Sequence, residues 1–134
     1  MTKVLAVDDH EADLRAIEKA VSAGGGIAKT ALLKRPAEER GALKRMLSAF
    51  RPDFCIVDAH FGAFTDGLSV IRAIRDWNEE VPVVLCTGFL DEEATRSKIL
   101  AAYQKIRHLR ILSKNPPPTW DDFCVAAGLP KKRR

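Results

Sequence analysis

The sequence predicts an α/β domain built on a five-stranded parallel sheet. Strand-like and helix-like segments alternate five times along 134 residues. Such alternation implies parallel strands joined by right-handed crossovers. The third and fourth strand runs are apolar throughout, as central strands covered on both faces require. Four of the runs lead directly into polar residues: Asp8 and Asp9, Asp58, Thr87 and Lys114.

The run Val4–Val7 reads as the first strand. Leu14, Ile17 and Val21 then recur at helical spacing, and Gly24, Gly25 and Gly26 stop that helix. Residues Ile27–Leu33 read as the second strand. Leu43, Met46, Leu47 and Phe50 give one amphipathic helix face. Phe54–Val57 is the third strand, and Leu68, Ile71, Ile74 and Trp77 mark the next helix. Val81–Cys86 reads as the fourth strand, with Pro82 near its start, where proline is best tolerated. A helix is expected over about 91–106, with Ile99, Tyr103 and Ile106 on one side. Leu109–Leu112 is the fifth strand. Pro116, Pro117 and Pro118 break the chain, and Thr119 is placed to cap a last helix with Trp120, Phe123, Cys124 and Ala127 on its face. Gly128 and Pro130 end it.

Composition narrows the class. The chain is 46% apolar and 30% charged, an ordinary globular balance. No apolar run approaches the ~20 residues needed to cross a bilayer. The start "MTKVLAVDD" is not patterned as a signal peptide, so a cytoplasmic protein is expected. Cys55, Cys86 and Cys124 lack metal-ligand spacing and read as buried thiols. There are 22 basic and 18 acidic residues, and the last four positions supply four of the basic ones. The body, 18 against 18, is neutral, which argues against a nucleic-acid face. One domain over 1–129 and a solvated basic tail over 130–134 are expected.

The strand ends carry the chemistry. In open α/β sheets, sites form outside the carboxyl ends of the strands. Asp8 and Asp9 there suit a hard divalent cation such as Mg2+, which prefers carboxylate and water oxygens. Asp58 adds a third carboxylate, and three like charges in one crevice need a cation. Lys114 offsets part of that charge. Asp58 can act as a nucleophile toward a phosphoryl group, forming an aspartyl phosphate. Lys114 and the Thr87 hydroxyl would hold phosphoryl oxygens, and Gly88 leaves the group room. Taken alone, Asp8 and Asp9 would be a turn or helix cap, and Lys114 a solvated lysine. The recurrence of polar residues at successive strand ends favours the site. His10 and His108 read as surface residues, and Trp77 and Trp120 as packing. His60 has no His or Cys at ligand spacing and reads as a loop residue.

This constellation resembles the receiver domains of bacterial response regulators, the CheY-like family. The acid pair after strand 1, Asp58 after strand 3, Thr87 after strand 4 and Lys114 after strand 5 carry the resemblance, which runs from about Lys3 to Leu129. It implies a flavodoxin-like (βα)5 sandwich with strand order 2-1-3-4-5. It also implies Mg2+-dependent phosphotransfer to Asp58 from a histidine kinase or phosphotransfer protein, with a backbone carbonyl of His60 as a further metal ligand. Such a domain catalyses only its own phosphorylation and dephosphorylation. Its output would be protein contact or onward phosphotransfer to an unidentified target, and a homodimer is left open.

Four departures from the family pattern stand out. Asn115 follows Lys114, and Pro116 comes one position later than the family's Lys-Pro. A cis bond before the non-proline Asn115 would cost about 3–4 kcal/mol. Ile111 stands where the family carries a rotating Tyr or Phe. The loop after Asp58 and the stretch from Gly88 to Arg110 are long. Two other classes bear on the reading. A pseudo-receiver used for interaction or dimerisation would have the fold without the phosphate. Haloacid-dehalogenase-like phosphatases also use Asp and Mg2+, but place Asp-x-Asp after strand 1.

Overall fold

The computed structural model describes residues 1–36, 38–58, 64–88, 93–103 and 105–129. The expectations for His60 and the tail over 130–134 lie outside these residues, as does the side chain of Ile99. The strands are β1 (Lys3–Asp8), β2 (Ile27–Leu32), β3 (Phe54–Asp58), β4 (Val83–Thr87) and β5 (Leu109–Ser113). The helices between and after them are α1 (Glu11–Ala23), α2 (Arg40–Phe50), α3 (Phe64–Trp77), α4 (Glu93–Tyr103) and α5 (Trp120–Ala126). All pairings are parallel and the order is β2-β1-β3-β4-β5, the architecture the resemblance implied.

Strand alternation divides the core into two layers. Leu5, Val7, Cys55, Val57, Val83 and Leu85 face one way and pack with α2, α3 and the end of α4. Val4, Ala6, Phe54, Ile56, Val84 and Cys86 face the other way, against α1 and α5. The central strands β3 and β4 are buried along their whole length. The edge strand β2 alternates instead, leaving Ile27 and Leu32 exposed. Cys55, Cys86 and Cys124 are buried free thiols, and burial pushes Cys55 and Cys86 up to about 12.

Several boundaries move for identifiable reasons. β4 begins at Val83 rather than Val81 because Pro82 has no N–H for the ladder; its carbonyl still accepts from the Cys55 amide at 3.0 Å. The strand then extends to Thr87, which pairs with Ser113. Helix α4 stops at Tyr103, short of Ile106. The Ile106 amide bonds the Tyr103 carbonyl in a tight turn, and His108 takes a left-handed φ of 56°. A cis peptide lies at Asn115–Pro116, one residue beyond the Lys114–Asn115 bond.

At the start of α5, the Thr119 hydroxyl accepts from the Asp122 amide, and the Asp122 carboxylate accepts from the Thr119 amide, a reciprocal cap. Trp120 then lies against Phe54, with ring centroids 6.1 Å apart. The glycines after α1 make room for that indole. A Cβ on Gly24 would overlap the Trp120 ring, and one on Gly26 would come within 2.9 Å of it. Gly24→Ala must therefore push Trp120 off Phe54. Overpacking of this kind costs about 1–3 kcal/mol. Urea unfolding should show a lower midpoint with an unchanged slope; an unchanged midpoint would mean that the indole relocates freely.

Candidate functional site

Parallel register levels the strand ends. Val7 pairs with Val57, so Asp8 and Asp58 leave adjacent central strands side by side. Asp58 pairs with Cys86, and Thr87 follows at the end of β4. The Lys114 amide bonds the Thr87 carbonyl at 2.9 Å, which fixes the start of the β5–α5 loop beside β4. Asp8, Asp58 and Thr87 are the buried polar residues among those described.

Lys114 reaches into the carboxylates. Its Nζ lies 3.0 Å from Asp58 Oδ1, 3.3 Å from Asp13 Oδ2 and 3.8 Å from Asp8 Oδ2. Burial alone would lower the ammonium, but Asp58, Asp8 and Asp13 outweigh it and hold its pKa above the usual value. Asp8 shows the cost of crowding. Burial first, and the neighbouring Asp58 charge second, push its carboxyl up to about 8. The His10 amide donates to Asp8 Oδ1 at 2.9 Å, whereas Asp8 Oδ2 accepts no hydrogen bond.

Asp9 is placed differently from its neighbour. Its Oδ1 lies 2.8 Å from His10 Nδ1, and its carbonyl accepts from Lys34 Nζ at 2.6 Å. The donors that converge are Asp8, His10, Asp13 and Asp58. Sequence reading singled out Asp8, Asp9, Asp58, Thr87 and Lys114. It read His10 as a surface residue, and that side chain is 57% exposed; it passed over Asp13. The missed signal is helical spacing. Asp13 lies four residues before the buried Ile17, so it shares that side of α1 in the first turn after the acid pair.

The region of Ile111 is also informative. Ile111 pairs with Leu85 and packs against the core layer that contains Tyr103. The buried aromatic there comes from the end of α4 rather than from β5. Burial, then the Asp58 charge, push the Tyr103 phenol up to about 12.

Metal-free stability should depend on Asp8. Folding raises this carboxyl from 3.8 to about 8, so the fold keeps a proton that the unfolded chain releases. The penalty is absent below the unfolded pKa and grows as the pH rises toward the folded one. In chelator, wild-type stability should fall between about pH 4 and 8, and Asp8→Asn should recover roughly 1–3 kcal/mol at the upper end. Parallel pH profiles for the two proteins in denaturant titrations would contradict this.

Comparison with known proteins agrees with the fold. The sequence pattern of the response regulator receiver domain matches residues 4–109. A response regulator receiver protein from Burkholderia phymatum superposes with a TM-score of 0.71 at 25% identity, covering 99% of this chain and 100% of that one. A receiver domain protein from Clostridium thermocellum gives 0.68 at 22% identity, covering 96% and 92%. The Vibrio cholerae chemotaxis protein CheY4 gives 0.63 at 24% identity, covering 85% and 87%. No match is found among curated proteins.

Proposed function

The chain belongs to the response regulator receiver domain family, and from this premise we propose that Asp58 accepts a phosphoryl group in two-component signalling. The donor is a histidine kinase or phosphotransfer protein, and the output is protein contact or onward phosphotransfer. The observation that carries the reading is the ammonium of Lys114, 3.0 Å from the buried carboxylate of Asp58. A carboxylate oxygen of Asp58 attacks phosphorus, and the bond from phosphorus to the donor breaks with its electron pair on the donor. Lys114 then has two oxygens to serve, one on Asp58 and one on the incoming phosphoryl group. Thr87, at the end of the neighbouring strand, is assigned the second contact to that group. The reaction stays on the domain's own aspartate.

A divalent cation fits the donor set. The carboxylates of Asp8 and Asp58 are buried side by side, and Asp8 Oδ2 accepts no hydrogen bond. Asp8, Asp9 and Asp58 are assigned to Mg2+, together with the carbonyl of residue 60. A bound Mg2+ supplies positive charge toward phosphoryl oxygens. We assign the domain to the cytoplasm on the strength of the signalling role. Among the described residues, no helix is long and apolar enough to cross a membrane.

Incubation with acetyl phosphate and Mg2+ tests the reading by intact mass. Wild type should gain one phosphoryl group, and Asp58→Asn none. Labelling that persists in the variant would move the site; absence of labelling in wild type would favour the phosphate-independent interaction module. Output is tested separately with beryllofluoride, a phosphoryl mimic. Backbone amide shifts should extend from the site into the described parts of 93–113, while Ile111→Tyr should change that pattern little because Tyr103 already fills the layer. Shifts confined to the immediate site would count against a phosphate-driven response.

A further inference from the structure

We propose that the open edge of β2 is a self-association surface, on which a second copy of this chain adds its own β2 antiparallel about a two-fold axis through Thr30. The surface lies on the far side of β1 from β3, and its use does not depend on phosphoryl transfer at Asp58.

Little guards this edge. β2 pairs with β1 in unbroken register from Lys3 and Ile27 to Asp8 and Leu32, and among the described residues no strand borders its other side. Natural edges are blunted by charges, proline, bulges or short length. β2 has six residues, no proline and a single charge, Lys29. Ile27 and Leu32, at its two ends, are 44% and 45% exposed. Helix α2 packs toward β1 and α3, which leaves Ile27 and Lys29 uncovered on that face.

Hydrogen bonding selects the register. The Ile27 amide donates to the Thr2 carbonyl at 2.9 Å, and the Leu33 amide to the Asp8 carbonyl at 3.0 Å. Odd-numbered positions of β2 therefore turn their N–H and C=O groups toward β1, and Ala28, Thr30 and Leu32 turn theirs outward. Centring on Thr30 sets that residue opposite its own copy, and Ala28 opposite Leu32 of the second copy. Every outward N–H and C=O of both strands is then paired. Centring on Lys29 or Ala31 leaves some of them unpaired, and the Lys29 centre also opposes two like charges.

Side chains and charge agree with the Thr30 register. Ala28 belongs to the α1 side of the core and Ala31 and Leu33 to the α2 side, so directly opposed residues share a face. Leu32 gains Ala28 of the second copy as a neighbour, and Ile27 gains Leu33. Lys29 meets Ala31, and opposed threonines form a favourable pair. Helix α1 packs on both β1 and β2, and the two-fold axis runs it antiparallel to its copy. Asp13 turns toward Lys114, 3.3 Å away, so helical spacing puts Arg15 and Glu18 on the side nearer the β2 edge. These two flank the middle of α1, which brings Arg15 of each copy opposite Glu18 of the other.

Sedimentation equilibrium of the full chain, without phosphodonor, and cysteine cross-linking test the surface. Wild type should show a reversible equilibrium between monomer and dimer. Thr30→Pro removes an N–H that β1 does not use, at an edge position where proline is tolerated. Its urea midpoint should stay near that of wild type, while association weakens by about ten- to a hundredfold through the lost inter-strand bonds. Leu32→Asp, which leaves the backbone donors intact, should weaken association as well. Thr30→Cys should form a disulfide-linked dimer under mild oxidation, because opposed Cα atoms in such a pair stand about 5.5 Å apart, within disulfide reach. Ile27→Cys should not, since the register sets it far from its own copy. The native cysteines are buried and do not compete. A wild type that stays monomeric at every concentration reached, or cross-linking at position 27 as fast as at position 30, would overturn the proposal. Undiminished association of both Thr30→Pro and Leu32→Asp would do the same.

Discussion

The ammonium of Lys114 lies among the carboxylates of Asp58, Asp13 and Asp8, and the arrangement of the sheet edge follows from that contact. Asp8 and Asp58 end adjacent central strands and are 0% and 2% exposed. Two ionised carboxylates so buried would each carry a desolvation penalty of several kcal/mol, with mutual repulsion added. One lysine offsets one charge. The remaining strain appears in Asp8, whose carboxyl is pushed up to about 8 by burial and then by Asp58. A crevice in this electrostatic condition favours a further cation, and favours oxygens that arrive with one.

Delivering Lys114 to that position constrains distant parts of the chain. It leaves the end of β5, whose other side is an open sheet edge, and it must cross β4 to reach β3. The bond from its amide to the Thr87 carbonyl sets the crossing point. The β5–α5 loop is held in turn by α5, which is anchored by the Thr119 and Asp122 cap and by Trp120 against Phe54. Gly24 and Gly26, after α1, allow the indole to lie there. Thus a glycine at position 24 and a lysine at position 114 belong to one packing problem on the α1 and α5 side of the sheet.

The fold was legible because its signals are local and redundant. Apolar continuity in Phe54–Val57 and Val83–Cys86 marks the central strands without any coordinates, whereas the second strand, with Lys29 and Thr30 inside it, reads less clearly. Asp8, Asp58, Thr87 and Lys114 were legible for the same reason, since a strand end is a position that can be counted along the chain. Asp13 and His10 were less so. Their approach to Asp58 depends on how α1 is set against β1 and β3, and no spacing within the helix reports that angle. The shifts at β4 and α4 have another origin. They come from a missing proline N–H and from the left-handed turn at His108, both of which act on single hydrogen bonds.

Ile111 poses the hardest question of the sequence, and packing answers part of it. Its strand position has no ring, yet the layer it borders is not short of one: Tyr103 is 0% exposed in the same cluster. The charge of Asp58 reaches that phenol, adding to burial in raising it to about 12. Added negative charge at Asp58 would act on the phenol in the same direction, favouring its neutral form. Electrostatic contact between the site and the α4 side of the sheet therefore runs to a helix residue rather than to a strand residue. A ring on β5 can swing about its own side-chain bond at little cost to the backbone. A fully buried ring at the last position of α4, in the core layer that holds Val83 and Leu85 and is bordered by Ile111, has little room to swing alone. Its displacement would be shared with the helix end that carries it, so motion at this site is coupled to α4 as a body.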